Sequence, residues 1–140
     1  MDIRCDTPLP SAALQIRLAV FVDEQGFVDE VDEIDAVADH LVLYDDDKAI
    51  GTCRIFPSEE ADTYILGRLC VLKSYRHKKC GRALVVAAEE RVTQRGGARL
   101  RLHSQCQAQG FYERMGYVPC SDIEDEQGCP HIWMQKEMTV

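Results

Sequence analysis

The 140-residue sequence lacks the features that mark membrane, secreted or disordered proteins. No apolar run approaches 18 residues, which argues against a transmembrane helix, and the first residues lack the basic and hydrophobic regions of a signal peptide. No low-complexity tract or linker interrupts the chain, and 46% of the residues are hydrophobic. We therefore expect a cytoplasmic protein that folds as a single domain over residues 1–140, with no membrane partner.

Regular cysteine spacing is also missing. Seven cysteines are present, but no two form a C-x-x-C pair and their number is odd. Disulfide frameworks and zinc sites normally show paired or regular spacing, so neither is indicated. Most of the cysteines lie in apolar segments, where a thiol packs as a small hydrophobic side chain. The sequence predicts buried free thiols in a reducing compartment and no metal site.

Two parts of the chain have little or no charge of one sign. Between Asp23 and Asp47 there are eleven acidic residues and no Lys or Arg, whereas between Arg68 and Arg101 there are ten basic residues and two acidic ones. The net charge of −8 and the lack of a reader motif argue against a nucleic-acid partner. An anionic cofactor on the basic side and a cationic amine near the acidic residues 29–35 suit this asymmetry better.

The most informative stretch is residues 65–86, which predicts a buried strand, a basic turn and then a helix. The first turn of a helix offers unpaired N–H groups and the positive end of the dipole, so phosphate groups can bind there. The turn contains Gly81 and a cluster of basic residues: Arg76, His77, Lys78, Lys79 and Arg82. It is neither a P-loop nor a dinucleotide fingerprint, because no Gly-Lys-Ser/Thr is present and Gly81 stands alone. A nucleotide-binding module that uses this loop for ATP stays an alternative.

Two motifs in this sequence resemble those of the GNAT N-acetyltransferase superfamily. Residues 76–84, RHKKCGRAL, resemble the Q/R-x-x-G-x-G/A loop that binds coenzyme A in that superfamily. Residues 111–117, FYERMGY, resemble its second signature, F-Y-x-x-x-G-F/Y. VFVDEQG at 20–26 and CPHI at 129–132 resemble the ElaA/YjcF-like branch, so the similarity covers nearly the whole chain.

The periodicity of apolar residues predicts the element order β-α-β-β-β-α-β-α-β-β. Strands are expected near residues 1–5, 40–44, 48–56, 63–71, 98–103, 117–120 and 131–138, helices near 11–25, 80–95 and 106–115, and a loop at 123–129. This order predicts an α/β domain with a mixed sheet. The resemblance implies the GNAT-type acyl-CoA N-acyltransferase fold, with a mostly antiparallel sheet flanked by helices. The strands at 63–71 and 98–103 would then splay apart at the cofactor site.

The resemblance implies acetyl-CoA as co-substrate and indicates the residues that contact it. The backbone of Leu69, Cys70 and Val71 would hold the acyl–pantetheine arm, and Gln105 would contact the same arm. N–H groups of the basic turn would hold the pyrophosphate. The full predicted set is Leu69, Cys70, Val71, Arg76, His77, Lys78, Lys79, Cys80, Gly81, Arg82, Gln105 and Phe111.

Lys79 departs from the loop pattern, since the superfamily has glycine at this place. Glycine adopts a positive φ without steric cost, whereas lysine does not. A positive φ at Lys79 would strain the loop by about 1 kcal/mol or more. We expect the turn to keep a negative φ at Lys79, which would let the side chain add a phosphate contact.

Acyl transfer to an amine needs an acid and a base. The resemblance assigns the acid to Tyr112, which would protonate the departing thiolate. Glu24, His103, His40 and His131 are the candidate bases. Glu24 could alternatively hold the amine, and His131 could line the acceptor pocket. His103 has a suitable unperturbed pKa, although the branch usually has a smaller polar residue there. A purely structural role is the alternative for His131 and His40, and a solvated acid at the end of a helix is the alternative for Glu24.

The sequence therefore predicts an enzyme, an acetyl-CoA-dependent N-acetyltransferase. A small-molecule or peptide amine would attack the thioester directly in a ternary complex. A route through an acyl-cysteine is disfavoured, because neither Cys70 nor Cys106 has an obvious partner base. The alternative from another class is a non-catalytic acyl-CoA-binding or sensor domain, which Lys79 and the unassigned base leave open. The final strand is expected to offer an edge for a homodimer.

Overall fold

The computed structural model describes residues 1–27 and 31–138, and eight strands of these residues form one sheet. The strands are β1 Asp2–Asp6, β2 Asp39–Asp45, β3 Lys48–Pro57, β4 Thr63–Val71, β5 Arg99–Gln105, β6 Val118–Pro119, β7 Glu124–Glu126 and β8 Cys129–Glu137. The α-helices are α1 Ser11–Arg17, α2 Cys80–Gln94 and α3 Gln109–Arg114. A π-helical segment, Leu18–Glu24, continues α1, and short 3₁₀ turns lie at Glu33–Ala36, Lys73–Tyr75 and Cys106–Ala108.

The order of the strands in the sheet is β1-β2-β3-β4-β5-β8-β6, and β7 also pairs with β8. Only β4 and β5 run parallel among the described pairings, and α2 makes the crossover between them. The other pairings are antiparallel, because short turns connect β2 to β3 and β3 to β4. The predicted mixed, mostly antiparallel sheet is confirmed.

The parallel strands β4 and β5 separate part of the way along their length. Their pairing begins with Thr63 opposite Arg99 and ends with Leu66 opposite Leu102, and the described residues form no further pair between these strands. Both strands nevertheless continue, β4 to Val71 and β5 to Gln105. Beyond Leu66, no strand of the described chain covers the edge of β4 that faces β5. This opening corresponds to the predicted splay.

The main core lies between α2 and one face of the sheet. Apolar side chains of α2 recur along one face of the helix and are fully buried: Leu84, Val85, Ala88 and Val92. They pack against residues that alternate along the strands, among them Leu66, Leu100, Leu102 and Met134. Gly51 allows this close approach, because a Cβ there would lie 2.9 Å from Cδ1 of Leu84. Each such large side chain contributes roughly 1.5–3 kcal/mol by its burial.

A smaller cluster packs α1 and the π-helical segment against the sheet. Ala13, Ile16 and Val20 contact Val42 and Cys70 there. The helix predicted over residues 11–25 is confirmed in its extent, although its second half is π-helical rather than α-helical. This segment leads directly to the place where β4 and β5 separate.

Two expectations about the last strands are wrong. Part of the predicted acidic loop forms β7, because residues 124–126 pair with residues 129–131 across a tight turn. The final strand is not an edge strand, since β8 has β5 on one side and β6 and β7 on the other. It cannot offer the predicted dimer edge.

All seven cysteines carry thiols, but they are not all buried. Cys53, Cys70 and Cys80 are buried, whereas Cys5 and Cys120 are exposed. Cys5 lies on β1, which has a partner strand on one side only among the described residues, so its surroundings are open. No helix within residues 1–27 and 31–138 is long and apolar enough to cross a membrane.

Candidate active site

A cavity of about 600 Å³ opens where β4 and β5 separate. Its walls come from the π-helical segment, β3, β4, β5, α3 and the β7–β8 hairpin. The volume is in the range of sites for small molecules. Ten of the predicted site residues line it: Leu69, Cys70, Val71, Arg76, Gly81, His103, Gln105, Phe111, Tyr112 and His131. The two sequence motifs therefore meet in one cavity.

The other predicted residues lie outside the wall of this cavity. His77, Lys78 and Lys79 are exposed on the loop before α2, and Cys80 is buried beneath it. Lys79 and Arg82 line a neighbouring shallow groove beside β1. Glu24 is exposed at the end of the π-helical segment and reaches the site only through Arg76.

The backbone at Lys79 contradicts the expectation of a negative φ, because its φ is 62°. His77 is also left-handed, with a φ of 66°. The chain has only four residues to reverse from the 3₁₀ turn at Lys73–Tyr75 into α2, which explains why it uses this conformation twice. The strain is of the order of 1–3 kcal/mol for each residue. Left-handed residues in a tight turn direct successive N–H groups to one side, as an anion site requires.

The start of α2 keeps its first N–H groups available. No side chain of the described residues caps this helix, and its first backbone bond runs from the N–H of Ala83 to the carbonyl of Lys79. The N–H groups before Ala83 can therefore bind an anion. Gly81 lies against the second motif, since a Cβ there would be 3.5 Å from Cζ of Phe111.

Tyr112 is buried beside this loop, with 8% of its surface exposed. Its ring meets those of Phe111 and Tyr117 edge-on, at centroid distances of 5.0 and 5.9 Å. Burial raises the pKa of Tyr112 well above its usual value, and the nearby Cys53 thiol raises it further. The phenol therefore keeps its proton at neutral pH, as a general acid must.

Glu24 forms a two-pronged ion pair with Arg76. Nη1 and Nη2 of Arg76 donate to the carboxylate at 2.6 and 2.7 Å, while Nε donates to the carbonyl of Val71 at 3.0 Å. The hydrogen bonds from Arg76 lower the pKa of Glu24. A carboxylate held in this way is a weak base, so the geometry favours Glu24 as an anchor for Arg76.

Gln105 connects the opposite strand to the same segment. Its Nε2 donates to Oε1 of Gln25 at 3.0 Å, and its own Oε1 accepts from Nε2 of Gln107 at 2.7 Å. Glu24 contacts the loop after β4, and Gln25 contacts the end of β5. The end of the π-helical segment thus bridges the two separated strands.

His103 lies in a cluster of aromatic and acidic side chains on the other wall. Its ring stacks on Trp133 at 4.7 Å between centroids and lies 4.9 Å from the ring of His131. Nδ1 of His103 is 3.3 Å from Oε2 of Glu126, and Nε2 of His131 is 3.6 Å from the same oxygen. Glu126 comes from β7 and lines the cavity.

The contact with Glu126 favours one tautomer of His103. A carboxylate can only accept, so the neutral ring is more stable with its proton on Nδ1, which leaves the lone pair on Nε2. Nε2 is buried and has no hydrogen-bond partner among residues 1–27 and 31–138. Burial lowers the pKa of His103, and His131 lowers it further, although Glu126 opposes both. His103 is therefore neutral at pH 7 and able to accept a proton.

His131 and His40 each form a hydrogen bond with a backbone carbonyl. Nδ1 of His131 donates to the carbonyl of Cys129 at 2.8 Å, which leaves Nε2 facing Glu126. His40 is 1% exposed, does not line the cavity, and donates through Nε2 to the carbonyl of Asp35 at 2.9 Å. Burial lowers the pKa of His40. These contacts support the structural role for His40.

None of the described residues of the acidic segment, 31–35, lines the cavity. Asp29 and Glu30 lie outside the described residues. Asp35 accepts from Arg17 at 2.7 and 2.9 Å and from Arg54 at 2.9 Å, and Asp32 accepts from Arg54 at 2.6 and 3.0 Å. Burial alone would raise the pKa of Asp35, but the hydrogen bonds from Arg17, Asp32 and Arg54 hold it well below its usual range.

Sequence reasoning missed several residues of the cavity wall: Arg54, Gly67, Trp133 and Glu126. The strand alternation offered one signal, since His103 and Trp133 lie on predicted strands and could share a face. Glu126 gave no such signal, because its segment read as an acidic loop. Its position depends on the β7–β8 hairpin, which a short run of charged residues does not predict.

The separated parallel strands, the uncapped basic loop before α2 and the buried tyrosine border one cavity. Residues 17–138 match the family of the acetyltransferase (GNAT) domain. The chain therefore belongs to the GNAT acetyltransferase family, as its motifs predicted.

Individual relatives agree with the predicted branch. The chain is 36% identical over 129 residues to the uncharacterized N-acetyltransferase YjcF of Bacillus subtilis, covering 89% of this chain and 90% of YjcF. It is 31% identical over 132 residues to ElaA of Escherichia coli, covering 91% of this chain and 86% of ElaA. The crystal structure of a candidate N-acetyltransferase from Lactobacillus plantarum matches with a TM-score of 0.90 and 35% identity, over 99% of this chain and 100% of that one.

Proposed function

We propose that this protein transfers the acetyl group of acetyl-CoA to a primary amine. Membership of the GNAT family supports acyl transfer from acyl-CoA. One observation supports the transfer to an amine in particular: His103 and Tyr112 line the same cavity. His103 has a neutral ring whose Nε2 lacks a partner among the described residues, and Tyr112 is a buried, protonated phenol. A base for the amine and an acid for the thiolate are the two groups that this reaction needs.

The residues present suit an acyl-CoA molecule. The open edge of β4 at Leu69–Val71 offers backbone groups to an extended pantetheine arm. The N–H groups at the start of α2 and the cations before it suit the pyrophosphate. Arg76 and Gln105 would contact the arm where it passes between β4 and β5.

The chemistry follows from these positions. The bound thioester supplies an activated acetyl group. Nε2 of His103 takes a proton from the acceptor, and the amine nitrogen then attacks the carbonyl carbon. A backbone N–H near Val71 stabilises the charge that develops on the carbonyl oxygen. As the C–N bond forms and the C–S bond breaks, the O–H of Tyr112 donates its proton to the departing sulfur, and the attacking nitrogen returns its second proton to the Tyr112 phenolate. His103 releases the first proton to solvent, which leaves the amide and the CoA thiol as products.

His103 is a better candidate base than Glu24. The carboxylate of Glu24 is held by Arg76, and its pKa is lowered by those hydrogen bonds. His103 has a free lone pair on Nε2 and is oriented by Glu126 in the manner of a catalytic dyad. Glu126 and His131 would also bind the ammonium form of the acceptor before it loses its proton.

The test is release of CoA thiol from acetyl-CoA with a panel of primary amines, comparing wild type with Tyr112→Phe. We expect Tyr112→Phe to lower kcat about 100-fold, the usual effect of losing a general acid, and to leave the affinity for CoA unchanged. Tyr64→Phe is the matched control, since Tyr64 lies outside the cavity wall. A protein that binds acetyl-CoA but releases no thiol with any amine would instead be an acyl-CoA-binding domain.

A further inference from the structure

Four residues form a row across the centre of the sheet, on the face that the cavity occupies. Arg54 of β3 pairs in register with Gly67 of β4, and His103 of β5 pairs with Trp133 of β8. Gly67 and His103 each follow the last described β4–β5 pair, Leu66 and Leu102. Opposed residues of neighbouring strands point to the same face, and all four residues line the cavity.

Gly67 leaves a gap in this row. A Cβ at this position would meet only Arg54, at 3.6 Å from Nε and 4.0 Å from Cγ, which is ordinary contact. The backbones of Arg54 and His103 are two strand spacings apart, about 10 Å. The gap over Gly67 is therefore an open floor between the two side chains, wide enough for a compact molecule.

The residues on either side of this floor each have a buried nitrogen that lacks a hydrogen-bond partner among the described residues. Arg54 is 3% exposed, and its Nη1 and Nη2 bind Asp32 and Asp35, but its Nε has no partner among the described residues. Nε of arginine is always a donor, whereas Nε2 of His103 is an acceptor in the tautomer favoured by Glu126. A molecule that satisfies both nitrogens carries an N–H group and an acceptor oxygen.

We propose that the floor over Gly67 is the acceptor subsite and that it takes a compact amine with a carbonyl or carboxylate oxygen, such as a small amino acid or amino amide. This inference rests on the proposed function. The amine lies at His103, where it loses its proton, and the oxygen accepts from Nε–H of Arg54. A plain alkylamine leaves that N–H buried and unpaired, which disfavours its binding.

The first experiment compares acceptors that share a skeleton. Glycinamide is set against isobutylamine, and the amides of β-alanine and 4-aminobutyrate are set against their branched alkylamine counterparts. Binding to the CoA-loaded protein is measured by calorimetry, and kcat/KM is expressed per unprotonated amine, which removes the difference in amine basicity. We expect at least one amide to exceed its alkylamine counterpart about tenfold, the effect of one hydrogen bond to a charged group.

Two variants test whether the preference for amides depends on Arg54 and whether the acceptor binds over Gly67. Arg54→Lys keeps the positive charge beside Asp32 and Asp35 but removes Nε–H, so the preference for the amide should fall to about one. Gly67→Val fills the floor from an ordinary strand conformation. It should weaken acceptor binding more than tenfold while the rise in Tm caused by CoA stays unchanged.

The outcomes separate the two proposals. Equal binding of amides and alkylamines, or full acceptor binding by Gly67→Val, overturns the subsite. If no amine releases thiol but calorimetry still ranks the amides first and Arg54→Lys abolishes that ranking, acetyl transfer is wrong and the subsite stands. If neither turnover nor binding distinguishes the amines, the subsite is overturned as well.

Discussion

His103 becomes a candidate base through its neighbours rather than through its position in a motif. Trp133 stacks on one side of the ring, and Glu126 favours the proton on Nδ1. Burial and His131 then keep the pKa of the ring below its usual value. The same residue on an open strand would titrate close to pH 6.5 and would be partly protonated near neutrality.

The pH dependence of kcat should report this environment. The lowered pKa of His103 means that kcat falls only as the pH drops below about 6.5, where imidazolium replaces the neutral base. Glu126→Gln removes the charge that stabilises imidazolium, so the acidic limb should move to lower pH. Glu124→Gln, on the same strand, is the control and should move the limb less. An unchanged limb in Glu126→Gln would contradict the assignment of His103 as base.

Substitutions of Lys79 test the left-handed backbone conformation at this residue. Lys79→Gly and Lys79→Ala both remove the cation, but only glycine relieves the strain of a φ of 62°. Thermal or denaturant unfolding should show the glycine variant more stable than the alanine variant by about 1 kcal/mol. Equal stability would mean that the left-handed conformation at Lys79 is wrong.

A buried group of charges joins α1, the 3₁₀ turn at Glu33–Ala36 and β3. Asp35 follows the segment after α1, accepts from Arg17 on α1, and accepts from Arg54 on β3. Arg54 in turn flanks the floor of the cavity. This group holds α1 and the 3₁₀ turn at Glu33–Ala36 against the sheet, so its loss should affect both stability and the acceptor side of the site.

Asp35→Asn should lower the free energy of unfolding by about 3 kcal/mol, because it leaves buried arginines without their counter-charge. Asp122→Asn, at an exposed position, is the control and should change it by less than about 0.5 kcal/mol. The pKa of Asp35 is lowered in the folded state, so its contribution is present above its unfolded pKa of about 3.9 and is lost as the pH falls below that value. Denaturant unfolding of both variants measures the effect, and equal losses would contradict the network.

Elements also differ in how far the sequence predicts them. The long strands and α2 have clear apolar periodicity and appear where they were expected. The strand β7 carries three acidic residues, all exposed, and is formed only by pairing with β8. The π-helical continuation of α1 has the same apolar pattern as an α-helix, so periodicity alone cannot distinguish the two.

In the whole molecule, the part of the cavity that we propose for the cofactor was easier to predict from the sequence than the part that we propose for the acceptor. The half that we propose for the cofactor is encoded by contiguous motifs, residues 76–84 and 111–117, which come together at Gly81 and Phe111. The half that we propose for the acceptor arises from one row across four strands and from a hairpin, so it depends on register between distant segments. Register follows from tertiary packing, and the sequence alone does not show it.

The proposed activity requires that the opening between β4 and β5 binds acyl-CoA. The most direct test is the Tm of the protein alone and with acetyl-CoA, free CoA or ATP. Ligand at about 100 times its Kd adds roughly 2.7 kcal/mol of apparent stability. We expect a clear rise in Tm with both CoA species and none with ATP. No rise with either CoA species, or an equal rise with ATP, would contradict the proposal.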